Sequence, residues 1–161
     1  MFSKRNARGF TLAEMIITLA LLAVLAMSAL PLGRTAVKRG DEIELSRSLR
    51  LMREAIDAYK KLADEKKFEF DKDTEGYPPT LEALVEGVEV QDKDAKGKLG
   101  AKKVVKFLRR IPKDPMTNSF DWGLRSYQDD VDSDFWGEEN VYDVYTKSQA
   151  LALDGTRYRD W

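Results

Sequence analysis

The sequence contains no cysteine and no histidine. Without cysteine there is no disulfide framework to staple a small fold, and no thiolate for catalysis or metal binding. Without histidine the commonest general base and the commonest transition-metal ligand are both missing. A zinc site would have to be built from carboxylates alone, which is not the donor set zinc prefers. An excess of one charge is lacking too: 27 Lys and Arg face 28 Asp and Glu, a formal net charge of −1. That balance gives no electrostatic footprint for nucleic acid, which calls for a basic surplus. No Ser-His-Asp or Cys-His constellation exists, and no glycine-rich phosphate loop occurs. Acids are plentiful, but no pair of carboxylates stands out for glycoside hydrolysis. The composition points away from an enzyme.

What is present is one long hydrophobic run. From Phe10 to Leu32 there are 23 residues and a single charge, Glu14. As a helix, a run of this length reaches about 35 Å, enough to cross a hydrocarbon core of roughly 30 Å. Lys4, Arg5 and Arg8 precede it, so the bias of basic residues predicts a cytoplasmic N-terminus and a translocated C-terminal part. Glu14 is the anomaly, since a carboxylate in a membrane helix costs about 2.5–3.5 kcal/mol on translocon scales. The next cation downstream is Arg34, and Arg8, six residues back, faces another side of a helix. Cleavage between Gly9 and Phe10 would create the missing cation, an α-amino group four residues before Glu14. That amine could pair with its own Glu14 or with that of a neighbouring subunit. Two plainer readings compete. A secretory signal peptide would be cut after the run, at small residues such as Ala26-Met27-Ser28-Ala29. A simple signal anchor would leave Glu14 without a role.

In Gly9-Phe10-Thr11-Leu12-Ala13-Glu14, behind three basic residues and ahead of the apolar run, the sequence resembles the type IV pilin and type II secretion pseudopilin superfamily. The resemblance implies cleavage after Gly9 by a membrane-embedded prepilin peptidase and N-methylation of Phe10. It also implies that Glu14 docks incoming subunits into a filament, and that Pro31 bends the helix. The expected division is a leader at residues 1–9, a transmembrane and filament-core helix at 10–32, and a globular domain at 33–161. Loss of Lys4, Arg5 and Arg8 with the leader would lower 27 cations to 24 against 28 acids, a balance of −4 before termini.

Beyond the run, Leu45, Leu49, Met52, Ile56, Tyr59 and Ala63 recur in steps of four and three, an apolar stripe at helical period. Arg47, Arg50, Glu54, Lys61 and Asp64 lie opposite. The helix is therefore expected to continue through residues 33–67, with Pro31 and Gly33 predicting a bend and Gly40 a local weakness. The stripe is expected to be covered by the chain's own sheet rather than to form a coiled-coil seam. Asp71 to Gly76 reads as a polar loop. Thr80 is placed to cap a short helix from Leu81 to Glu86, with Leu81, Leu84 and Val85 inward. Gln91 to Lys103, rich in Lys, Asp and Gly, reads as an exposed loop. Val104 to Leu108 reads as an apolar segment packed near the helix. Ile111-Pro112-Lys113-Asp114-Pro115 excludes both helix and ladder. Strands are expected at Phe120–Tyr127 and at Val141–Tyr145, the latter with Val141, Asp143 and Tyr145 on one face and Tyr142 and Val144 on the other. Trp122, Trp136, Tyr158 and Trp161 are expected to close the core.

Three of these segments extend the resemblance. Tyr77-Pro78-Pro79-Thr80, then Ile111-Pro112-Lys113-Asp114-Pro115, then Tyr142-Asp143-Val144-Tyr145 occur in the order found in major pseudopilins of type G. The implied fold is α+β, a long N-terminal helix packed on a small antiparallel sheet, and the segregation of helix from strands along the chain suggests the same. The implied function is that of a structural subunit of a type II secretion pseudopilus, a homo-oligomeric filament driving export across the outer membrane. Its partners would be the prepilin peptidase, other pseudopilins and inner-membrane assembly proteins. The protein would be single-pass in the inner membrane with a periplasmic domain. Alternatives are a type IV pilus subunit and a membrane-anchored binding module that never polymerises. Type G pseudopilins commonly hold calcium in an aspartate-rich loop after the last motif. Here Thr146 to Gly155 offers only Asp154, and Leu151 and Leu153 suggest that apolar packing replaces the ion. Asp129, Asp130, Asp132 and Asp134 form a second acidic cluster, but Phe135 and Val141 occupy the positions where an EF-hand needs Gly and Glu. No cofactor is expected, and the cluster reads as a solvated loop. If calcium is bound, these four residues and Asp154 are the candidate ligands.

Overall fold

The computed structural model describes residues 9–93, 99–130, 133 and 135–161, without the side chains of residues 28–32, 92, 93, 99 and 100. Two compact units make up the chain, one ending at Gly40 and the other Asp41–Trp161. Helix α1, Leu12–Asp64, is 53 residues long. Its start is set by Thr11, whose Oγ1 accepts from the Glu14 amide at 3.2 Å, satisfying one of the donors a helix start leaves open. Its end is a Schellman turn. The Lys67 amide donates to the Leu62 carbonyl at 3.1 Å and the Lys66 amide to Ala63 at 2.9 Å, with Lys66 at φ 53 in the left-handed position usually held by glycine.

In the second unit the apolar stripe of α1 is the core. Leu45, Leu49, Met52, Ile56, Tyr59 and Ala63 are all buried, joined by Leu81, Leu84, Leu108, Trp122, Val141, Val144 and Tyr158. Fully burying one such aliphatic side chain contributes about 1.5–3 kcal/mol. Trp136 and Trp161 pack against this cluster from its edge, half-buried. Helix α2, Leu81–Glu86, is capped by Thr80, whose Oγ1 accepts from the Ala83 amide. It stops at Gly87, where φ is 85 and a Cβ would collide with the Val105 carbonyl.

Four strands form two antiparallel pairs: β1 Val88–Lys93 with β2 Leu99–Val105, and β3 Gly123–Arg125 with β4 Asp143–Tyr145. The architecture is α+β, a long N-terminal helix packed with small antiparallel sheets. The β1–β2 pair corrects the expectation of a loop at Gln91 to Lys103. Its strands are paired by ladder hydrogen bonds, with Val90 buried and Val88 packed against the core, but the many charged residues of the stretch obscure the pattern; residues 94–98 of the expected loop lie outside the described residues. Val104, expected near the helix, lies on this pair and is 52% exposed, whereas Phe107 and Leu108 turn inward and donate their amides to the Leu84 carbonyl. The second pair is shorter than expected, and Phe120 lies outside it, exposed. Nor does Val141–Tyr145 alternate: Val141, Val144 and Tyr145 are all buried, because core and side-chain neighbours cover both faces.

Candidate processing and assembly site

In the first unit, Gly9, Phe10 and Thr11 precede α1 without helical structure, and Phe10 is 77% exposed. Among the described residues a Cβ on Gly9 would meet nothing within 4 Å, so the described fold makes no demand for glycine there. Glu14 lies in the first turn of α1, three residues after its cap. The open amides and the dipole of that turn favour a carboxylate by about 0.3–1 kcal/mol, a contribution that the search for a cation overlooked. Thr11-x-x-Glu14 is the sequence signature that could have revealed it. From Leu12 to Met27 the apolar side chains are exposed, including Ile16, Ile17, Leu21 and Leu25. Helix continues through residues 31 to 33. The side chain of Pro31 lies outside the described residues, as do the leader residues before Gly9. Among the described residues no helix is long and apolar enough to cross a membrane; the expected span includes residues 28–32, whose side chains are outside that set.

In the second unit the three ordered motifs converge. The Val141 amide donates to the Pro78 carbonyl at 2.8 Å, and the rings of Tyr77 and Tyr142 meet edge to face at 5.3 Å. Asp114 is fully buried. Its Oδ1 accepts from the Met116 amide at 2.8 Å, and its Oδ2 accepts from the hydroxyls of Thr117 and Thr146 at 2.9 and 2.5 Å. The second motif therefore holds the residue that follows the third. Asp143, inside the third motif, receives Arg53 of α1 at 2.7 Å and Arg125 of β3 at 3.7 Å. Arg125 also stacks on the Tyr145 ring at 4.3 Å, and Tyr145 lies over its strand partner Gly123, where a Cβ would collide with the ring.

The loop after β4 departs from expectation. Leu151 and Leu153 are 54% and 44% exposed, so apolar packing by these two residues does not stand in for an ion. Glu42 of α1 holds the segment instead: its Oε1 accepts from the Leu153 amide at 2.7 Å and from the Tyr158 hydroxyl at 2.8 Å. Burial, then the Glu42 hydrogen bond, push the Tyr158 phenol up to about 12. Ala152 and Tyr158 supply the buried apolar contact. Asp154 accepts from the Thr156 amide and hydroxyl. Asp129 accepts from the amides of Ser126 and Gly137, while Asp130 is exposed. Asp132 and Asp134 lie outside the described residues. Among the described residues no three acids are grouped to hold a metal ion. Sequence reasoning missed Glu42 altogether, because a single acid on a helix 111 residues from its partner carries no local signal.

Comparison with known proteins adds one positive finding. No curated protein and no solved structure matches the chain. Residues 4–30 match the family described as the prokaryotic N-terminal methylation motif. That motif implies processing by a prepilin peptidase, an N-terminal segment anchored in a membrane, and assembly with pilin-like partners. The chain therefore carries, at residues 4–30, the prepilin leader of type IV pilins and pseudopilins.

Proposed function

We propose that this chain is a structural, non-catalytic subunit of a type II secretion pseudopilus, processed between Gly9 and Phe10 and methylated on Phe10. The observation that carries the reading is the N-terminal arrangement. An accessible Gly9–Phe10 bond stands two residues before a helix whose first turn holds Glu14 and whose apolar side chains to Met27 are exposed. Such a surface calls for lipid or for neighbouring helices. While the subunit waits in the inner membrane, with its domain in the periplasm, lipid covers residues 10–32. In the filament, neighbouring helices replace lipid, and the Phe10 amine of one subunit neutralises Glu14 of the next. Pro31 bends the helix at the membrane boundary. Growth of the filament pushes folded cargo toward an outer-membrane pore. The convergence of the three ordered motifs favours a pseudopilin over a type IV pilin, as does the lack of cysteine for a C-terminal disulfide.

Mass spectrometry of protein extracted from its native membranes is expected to show a chain beginning at N-methylated Phe10. A chain beginning at Met1 or after Ala29 would refute processing at this site. Glu14→Ala is expected to be processed normally yet to assemble poorly; normal filaments from it would remove the docking role. Uncleaved monomers throughout the membrane would point to the anchored binding module instead.

A further inference from the structure

We infer that the groove between the second half of α1 and the Phe107–Phe120 segment receives the Phe135 loop of a second copy of this chain. The inference rests on the assembly reading above and names a contact that assembly uses. The groove encloses about 950 Å3. Its lining includes Leu51 and Phe120, which are 47% and 64% exposed. Its exposed charged lining is basic, with Arg47, Arg109, Arg110 and Lys113 against Glu44. Among the described residues none of the four cations forms an ion pair. The complement of an apolar strip edged by cations is an apolar knob edged by acids.

The chain carries that complement elsewhere. Phe135 is 85% exposed, more than any other large apolar side chain described. Asp130, Glu138 and Glu139 are exposed near it in sequence. Described residues of the loop hydrogen-bond within it. Ser133 Oγ accepts from the Phe135 amide at 3.1 Å and donates to the Phe135 carbonyl at 2.7 Å. The Gly137 amide donates to Asp129 at 3.1 Å, and the indole of Trp136 turns inward to donate to the Asn140 carbonyl at 2.8 Å. No described residue of this loop lines the groove. Knob and groove are thus separate surfaces, and each docked copy still offers one of each. A contact of this heterologous kind propagates rather than closing on a dimer.

The absence of cysteine makes the test clean. Full-length Glu139→Cys and Arg110→Cys chains, co-expressed where the natural chain forms filaments, are expected to be joined by a short bis-maleimide into a mixed dimer. The double variant is expected to give a ladder of multimers, and neither single variant alone a cross-link. Independently, Glu138→Arg/Glu139→Arg is expected to lower the yield of filaments about tenfold, and adding Arg109→Glu/Arg110→Glu to recover most of it, as coupled charges do. Filaments that form normally from the charge-reversed chain, without cross-linking at the cysteine pair, would overturn this contact and leave the assembly reading intact. Natural chains that are processed at Phe10 yet never leave the monomeric state would overturn both.

Discussion

At the residue scale, Glu42 and Tyr158 show how one carboxylate organises a distant segment. Glu42 takes two hydrogen bonds from the loop after β4, one of them from a buried phenol. Glu42→Ala leaves the Leu153 amide and the Tyr158 hydroxyl without their acceptor and is expected to cost about 2 kcal/mol in urea unfolding of the solubilised chain. Tyr158→Phe is expected to cost about 1 kcal/mol at pH 7. The alkaline side isolates the contribution of the phenol. Because the folded phenol is raised from 10.0 to about 12, its contribution is complete below pH 10 and is lost as pH climbs from 10 through 12. Tyr158→Phe should therefore flatten the fall in stability over that window. Tyr59 and Tyr77, both raised chiefly by burial, keep part of the slope. An unchanged slope would show that the Tyr158 phenol is not perturbed in this way.

At the element scale, two backbone positions make testable demands on residue type. Lys66 closes α1 in the left-handed region, which costs an L-residue about 1 kcal/mol that glycine does not pay. Lys66→Gly is expected to raise stability by roughly that amount, since both hydrogen bonds of the turn come from backbone amides. A loss of stability in thermal melts would mean that the lysine side chain supports the turn. Gly123 presents the opposite case. Its strand partner Tyr145 lies across it, under the Arg125 guanidinium, so Gly123→Ala is expected to cost about 1–3 kcal/mol by displacing the ring. Combining it with Tyr145→Leu should recover much of that loss, a non-additivity that a direct backbone effect of the alanine would not produce.

At the scale of the whole molecule, folding and processing make separate demands. The second unit is built on the buried stripe of α1, whereas a Cβ at Gly9 would meet no described atom within 4 Å. Gly9→Leu is therefore expected to leave the melting curve unchanged while the leader is retained in mass spectra. A variant that melts earlier would tie Gly9 to the fold; one that is still trimmed would show that the peptidase tolerates bulk at this position. Among the described residues the apolar side chains from Leu12 to Met27 stand exposed, the surface that lipid or neighbouring helices cover in the proposed function.

Much of this was legible in the residues in order. The α1 stripe, the Thr80 cap with α2 behind it, and the prepilin leader rest on local periodicity and spacing, which a linear sequence records directly. The β1–β2 pair was not legible, because its few apolar positions, Val88 and Val90 among them, are outnumbered by charged residues along the stretch. Nor were the Asp114–Thr146 and Glu42–Leu153 contacts, which join positions 32 and 111 residues apart. By itself the sequence determined that a prepilin leader motif leads into an apolar helix and that one face of the helix's continuation is core. Only the tertiary structure decided which acid holds which loop, because a carboxylate's partner is set by where the backbone returns, and that return is a property of the packed core rather than of any local stretch.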